Sequence, residues 1–235
     1  QDTAALTRAL TGATGAYVLL PPPGWGQTGL AADRAAKTAS LVAAVKAARP
    51  GHVVLLSSVG AELTEGNGPI KSLYAVEQGL RTTGVPVTFL RAAAFMENWG
   101  SMVAGAVAQG ALYYGVAEGV TWPQVATEDI GKTAARLLLE GSAGGVKIVE
   151  LNGPADASLQ DVAAAIAKVS GKPVQGVSVP SAAMIQSLTG QGASAELAGE
   201  LGEMADGISK GLLKFHGAPL RGTITLEQRL RAFVS

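Results

Sequence analysis

The 235 residues contain no cysteine and only two histidines, His52 and His216. Disulfide frameworks, thiol nucleophiles and thiolate metal sites are thereby excluded, and two imidazoles far apart in sequence give no metal-ligand spacing. Charge of either sign is also scarce: 15% of residues are charged, and 18 basic residues cancel 18 acidic ones. With no basic block, nothing points to nucleic acid or an anionic membrane as partner. Long apolar runs are missing too. The uncharged stretch from Asn98 to Ala117 carries Gly100, Gly105, Gly110 and Gly115, and reads as a packed amphipathic helix and loop rather than a membrane span. No signal peptide is visible. The expectation is a cytoplasmic protein that acts on a small molecule and can form a homodimer. What the chain does have is apolar surface, 48% hydrophobic residues, enough for one sizeable core with a small added lobe.

The segment LTGATGAYVLLPPPG, residues 10–24, contains a glycine pattern like that of a pyrophosphate-gripping turn. Such a turn follows a strand and opens a helix, whose N-terminal amides hold the anion. Here the order is reversed. Asp2–Leu10 reads as helix, and Ala16–Leu20 as a short strand stopped by three prolines. The position of a third glycine is taken by Val18. TGATG is therefore expected to be a helix-to-strand turn, with Gly12 near the helix C-terminus.

Further along, strand-like runs at His52–Ser57, Pro86–Leu90, Val146–Leu151 and Val174–Val179 alternate with helical patterns. In 35–48 the stripe is Ala35, Ala39, Val42 and Val45; the next are Leu73, Val76 and Leu80, then Ile130, Ala134, Leu137 and Leu138. Ser158 reads as the N-cap of a helix that ends near Gly171 and Pro173, and a last helix covers Leu226–Val234. Strands separated by single helices imply βαβ units and a doubly wound parallel sheet, an α/β fold, with helices on both faces. Beyond about Gly153 helices dominate. The expected division is 1–153 for the sheet domain and 154–235 for a small, mostly helical lobe over the C-terminal edge, where open α/β sheets bind ligands.

Four segments carry a family resemblance: VVLLSSVGA (53–61), GPIKSLYAVEQGLRTTGVPVTFLRAAAFMENW (68–99), DIGKTAARLLLEG (129–141) and VELNGPADASLQDVAAAIAKVSGKPV (149–174). They resemble the NmrA-like proteins, atypical relatives of the short-chain dehydrogenases/reductases. The resemblance implies a Rossmann domain with a helical substrate lobe, NADP or NAD as cofactor with NADPH favoured, and one of two functions. One is NAD(P)H-dependent hydride transfer to a quinone-like or other small electrophile; the other is non-catalytic sensing of the dinucleotide. By register with the family, Gln1 falls in the helix before the fourth strand, so the glycine loop and first three strands are expected upstream. AYVLL is then expected to form a sheet edge, and the chain alone to hold NAD(P) poorly.

The resemblance also assigns candidate site residues. Short-chain dehydrogenases pair a Tyr acid with a Lys four residues later; Tyr74 has Gln78 there, yet remains the best side-chain proton donor. Pro21 and Pro22 end the first strand, on the family's adenosine and ribose side. Ser57 and Ser58 end the next, where their hydroxyls serve either the nicotinamide ribose or strand-end capping. Ala92, Ala93 and Phe95 belong to the loop beside the nicotinamide, with Asn98 behind Phe95; Ala92 stands where the family usually has Pro. Phe95, Asn98, Trp99, Trp122 and Met184 are the candidates for a quinone-sized pocket, with plain core as the alternative for the Met and Trp residues.

Overall fold

In the computed structural model, residues 2–234 are described. The chain opens with α1 (Thr3–Leu10), capped by the Asp2 carboxylate, which accepts from the Ala5 amide at 2.9 Å. Strand β1 (Ala16–Val18) follows, then α2 (Leu30–Ala48), β2 (Val53–Ser58), α3 (Lys71–Arg81) and β3 (Val87–Ala92). The middle of the chain holds β4 (Ala94–Phe95), a 3-10 turn at Met96–Trp99, α4 (Gly100–Gln109), β5 (Ala111–Tyr114), β6 (Thr121–Val125), α5 (Thr127–Glu140) and β7 (Val146–Asn152). After it come β8 (Asp156–Ser158), α6 (Leu159–Ser170), β9 (Gln175–Ser178), α7 (Ser181–Gly190), α8 (Ala195–Ser209), β10 (Leu220–Arg221) and α9 (Leu226–Leu230).

The main sheet runs β1-β2-β3-β7-β10, all parallel. Alternation along its strands sorts side chains to two faces. Val53, Leu55, Val87 and Phe89 pack with Leu41 and Val45 of α2 and with Val76 and Leu80 of α3. Val54, Leu90, Ala92, Val149 and Leu151 pack against Ile130, Ala134 and Leu137 of α5. Covered on both sides, β3 is buried along its whole length. This explains why VVLL and VTFL are nearly continuous apolar runs. The AYV strand β1 stands at the sheet edge, as its register implies.

TGATG is a helix-to-strand turn. The Thr11 amide donates to Thr7 O at 3.0 Å, Gly12 is left-handed at φ +76°, and Ala16 N donates to His52 O at 2.8 Å to start β1. The turn thus sits at the N-terminal ends of the parallel strands. Ser58, five residues along β2 from Val53, is roughly 17 Å away at the opposite edge.

Several elements differ from the pattern expected of the sequence. Helix α2 starts at Leu30, and its buried face is Leu30, Arg34, Leu41, Ala44 and Val45, whereas Ala35 and Ala39 are exposed. The apolar stripe is interrupted because Arg34 lies in the contact with α8, paired to Glu200 at 2.6 Å. The 98–117 stretch contains strand β5 after its helix, pairing with β9. Strand β6 contains Pro123, which masks it as a strand in the sequence. The C-terminal helix stops at Leu230 and continues as a 3-10 turn at Arg231–Phe233. Residues after Gly153 carry α6 to α9 and three short strands, of which β10 rejoins the main sheet beside β7.

Candidate active site

At the C-terminal edge, Val59 N donates to Ala92 O and Ala93 N to Leu151 O, both at 2.9 Å, so the three central strands end in register. The chain then opens a cavity of about 190 Å³ between the sheet edge and the C-terminal helices. Its floor is Ser58, Val59, Ala93 and Ala94, and Phe95 and Asn98 flank it. One wall is aromatic: Trp99 meets Tyr114 edge-on at 4.9 Å, and Tyr114 and Trp122 lie near-parallel, 16° apart with ring centres at 6.2 Å. Met204 and Ile208 of α8, with Leu213 beyond it, form the roof.

The polar groups here are few. Gln124, almost fully buried, accepts from Trp99 Nε1 at 2.8 Å and donates to Ala157 O at 3.2 Å, which fixes the indole. Gly153 is needed beside it, since a Cβ there would run into the Gln124 carbonyl. The Ser58 hydroxyl donates to its neighbour's carbonyl, Val59 O, at 3.0 Å, and the Asn98 amide is exposed. The Tyr114 hydroxyl has no hydrogen-bond partner among the described residues, and burial pushes its pKa up to about 12. Among the described residues no carboxylate, amine, guanidinium or imidazole lines the cavity.

Charge lies behind the floor and above the roof instead. Behind the floor, Arg91 holds Glu77 through Nε at 3.0 Å and Nη2 at 2.7 Å, and Glu62 through Nη1 at 2.7 Å. Burial opposes the guanidinium's charge, but the hydrogen bond and charge of Glu77, with Glu62 and Glu150, outweigh it and raise its pKa further. His216 Nε2 reaches the other oxygen of Glu62 at 2.8 Å, tying the 211–219 segment to this network. Above the roof, three carboxylates of α8 clamp it to α2 and to the Gly66–Lys71 segment. Glu196 accepts from Leu30 N at 2.8 Å, Glu200 meets Arg34, and Glu203 accepts from Gly66 N at 2.7 Å and from Lys71 Nζ at 3.1 Å. The backbone hydrogen bonds from Leu30 and Gly29 hold the Glu196 carboxyl below its ordinary pKa.

Of the expected site residues, Ser58, Ala93, Phe95, Asn98, Trp99 and Trp122 come together around the cavity. The others do not. Ser57 alternates to the opposite face of β2 and donates to Glu77 Oε1 at 2.6 Å, so its hydroxyl is engaged inside the fold. Ala92 is buried in the strand against α5, and Pro21 and Pro22 lie exposed beyond β1. Tyr74 is 37% exposed on α3 and lines no part of the cavity. Met184 packs in a core cluster that also holds Leu112, Val116 and Ala205; its Sδ would lie 2.9 Å from a Cβ at Gly115. Tyr114, Gln124, Met204, Ile208 and Leu213 were not among the expected residues. Period-two alternation in ALYY could have pointed to Tyr114, since Tyr113 is exposed and Tyr114 turns inward.

The small side chains at the strand ends, the Ser58 hydroxyl and the Phe95 ring suit the nicotinamide end of a dinucleotide. The TGATG turn does not suit the pyrophosphate end, because it lies at the other edge of the sheet. A sequence profile of the NmrA-like family matches residues 1–210. The chain belongs to the NmrA-like family. An NAD(P)H azoreductase of Xenophilus azovorans is 28% identical over 201 residues, which cover 85% of this chain and 66% of that protein, just under two thirds. An NADPH-dependent quinone oxidoreductase of Escherichia coli, solved with NADPH, superposes with a TM-score of 0.84 at 26% identity, covering 100% of this chain and 81% of that one. The triphenylmethane reductase of Citrobacter sp. shares the fold, with a TM-score of 0.82 at 22% identity over 99% of this chain and 81% of that one. Among the described residues no helix is long and apolar enough to cross a membrane, and no cluster of three or more potential metal ligands occurs.

Proposed function

We propose that this chain is an NAD(P)H-dependent oxidoreductase, with NADPH as the favoured cofactor, that transfers hydride to a small quinone-like electrophile. The observation that carries the reading is the cavity itself. It is apolar and aromatic, it sits where the central parallel strands end, and among the described residues no titratable acid suited to neutral pH lines it. Reduction of a simple carbonyl needs a proton donor matched to the alkoxide. A quinone does not depend on one, because its reduced oxygen is a stabilised phenolate that water can protonate. The azoreductase and quinone oxidoreductase relatives support this class of acceptor.

When bound, NADPH supplies the hydride. In this reading Ser58, Ala93 and Phe95 position the nicotinamide end, Pro21 and Pro22 border its adenosine side, and residues 154–235 supply the roof that excludes water. Trp99, held by Gln124, and Trp122 give the acceptor a fixed flat surface, as proximity catalysis requires. Cytoplasmic location and homodimerisation belong to the same proposal.

The test is NADPH oxidation by this chain, at millimolar NADPH, with a panel of quinones and dyes. Saturable turnover of quinones is the expected result. Saturable NADPH binding without turnover of any acceptor would sink the proposal. That outcome would leave a dinucleotide-sensing regulator, a reading favoured by Tyr74, which has no Lys partner and stands outside the cavity.

A further inference from the structure

We infer that Tyr114 determines acceptor specificity: its hydroxyl donates a hydrogen bond to the carbonyl oxygen of a compact planar quinone lodged against the Trp99–Tyr114–Trp122 wall. The inference rests on the oxidoreductase reading for the class of ligand, and on the cavity for the residue. Six lining side chains carry a nitrogen or oxygen: Ser58, Asn98, Trp99, Tyr114, Trp122 and Gln124. Gln124 is committed to Trp99 and Ala157, Ser58 to the carbonyl of Val59, and Asn98 is exposed. Of the six, the Tyr114 hydroxyl and the Trp122 indole N–H have no partner among the described residues; the indole N–H is fixed in direction, whereas the hydroxyl can turn its hydrogen toward a ligand oxygen. Tyr114 is half-buried, and a ligand oxygen that accepts from its hydroxyl replaces a hydrogen bond to water with one inside the cavity, a modest net gain.

The ring is held for this role. Strand β5 places Tyr114 opposite Ser178 of β9, and Val179 N donates to Tyr114 O at 3.0 Å. Trp99 meets the ring edge-on at 4.9 Å. Because burial raises the phenol's pKa to about 12, the group stays protonated and remains a donor throughout the physiological range. It orients the ligand, and does not surrender its proton.

Size sets the second half of the specificity. The cavity of about 190 Å³ lies below the roughly 300–1,000 Å³ of pockets that take drug-sized ligands. One or two fused rings match it, and a branched three-ring dye does not. Met204 and Ile208, on the clamped helix α8, set this limit.

The experiment is a titration of the full chain with naphthoquinone and, separately, with naphthalene, read by quenching of tryptophan fluorescence. Trp99 and Trp122 report the cavity, while Trp25, exposed and outside it, gives a constant background. Tyr114→Phe keeps the ring and is expected to weaken naphthoquinone binding about tenfold, the loss of one good hydrogen bond, while naphthalene binding is unchanged. Equal weakening of both ligands, or of neither, overturns the inference. Ile208→Trp fills the cavity and is expected to abolish quenching by both; persistence of the quenching places the ligand elsewhere and also overturns it. Quinone binding that depends on the Tyr114 hydroxyl, in a chain that never oxidises NADPH, upholds the inference while defeating the oxidoreductase reading.

Discussion

Arg91, near the C-terminal end of β3, meets Glu77 of α3 through two parallel hydrogen bonds of 3.0 and 2.7 Å, both groups being almost fully buried. The fork geometry is that of a bidentate guanidinium–carboxylate pair. Ser57 donates to the same carboxylate at 2.6 Å, so the ends of β2 and β3 are fastened to α3 directly behind the cavity floor.

Removal of one partner leaves the other charged and buried. Glu77→Ala is therefore expected to lower unfolding free energy by about 3–5 kcal/mol in urea titrations. The double variant Arg91→Met with Glu77→Leu should lose much less than the two single losses added together. Strict additivity would show that the pair is not coupled as described.

His52 lies buried at the other edge of the sheet, with Nε2 2.9 Å from Thr88 Oγ1 and Nδ1 without a partner among the described residues. Burial, helped by the positive charge of Lys147, lowers its pKa from the ordinary value of 6.5. The unfolded chain thus binds the proton more readily than the folded one. Stability from this group is fully present above about pH 6.5 and is lost as pH falls toward the lower folded value. Denaturant titrations between pH 7 and 5 should show the decline, and His52→Leu should flatten it even though it loses the Thr88 contact.

Gly207 of α8 is packed so that a Cβ would collide with the carbonyl of Gly66. On an exposed helix surface Gly→Ala would stabilise by about 1 kcal/mol. Here the sign reverses. Gly207→Ala is expected to destabilise by about 1–3 kcal/mol, as overpacking does, and to weaken naphthoquinone binding by displacing the cavity roof. Thermal melting and the fluorescence titration measure the two effects separately.

Gly12 has φ +76° with open space around it. Gly12→Ala should destabilise by about 1 kcal/mol through backbone strain alone. NADPH affinity should not change, since the turn is at the wrong edge of the sheet to meet phosphate. A selective loss of NADPH binding, measured by calorimetry, would restore TGATG as a phosphate loop. The same geometry gives the unsubstituted 235-residue chain no glycine cradle at the cavity edge among its described residues, so NADPH binding by this chain alone is expected to be weak.

The layered sheet was readable in the sequence because its strands are apolar on both faces and its helices have clear stops. Ser158 with Asp161, a reciprocal capping box, is the clearest local signal. The orientation of TGATG followed from the order of helix and strand alone. Half of the cavity was readable as well, since Ser58, Ala93, Phe95, Asn98 and Trp99 lie in or just after two continuous segments. The other half was hidden for identifiable reasons. Strand β6 contains a proline, β5 is four residues long, and the roof residues Met204 and Ile208 look like ordinary core positions of an amphipathic helix. Ser57 and Ser58 are equivalent in composition, and only the pleat sends one hydroxyl to Glu77 and the other to the cavity side. Arg34 broke the expected stripe of α2 because its partner is 166 residues away.

The three carboxylates of α8 grip three different places: the first amides of α2, the side chain of Arg34, and the turn around Gly66 with Lys71. They lie on one rigid rod, so none can let go by itself. An acceptor a little too large has no single weak contact to push aside; it has to lift the whole rod against all three anchors at once. Discrimination by girth should accordingly be abrupt, a step rather than a slope, across a graded series of fused-ring compounds.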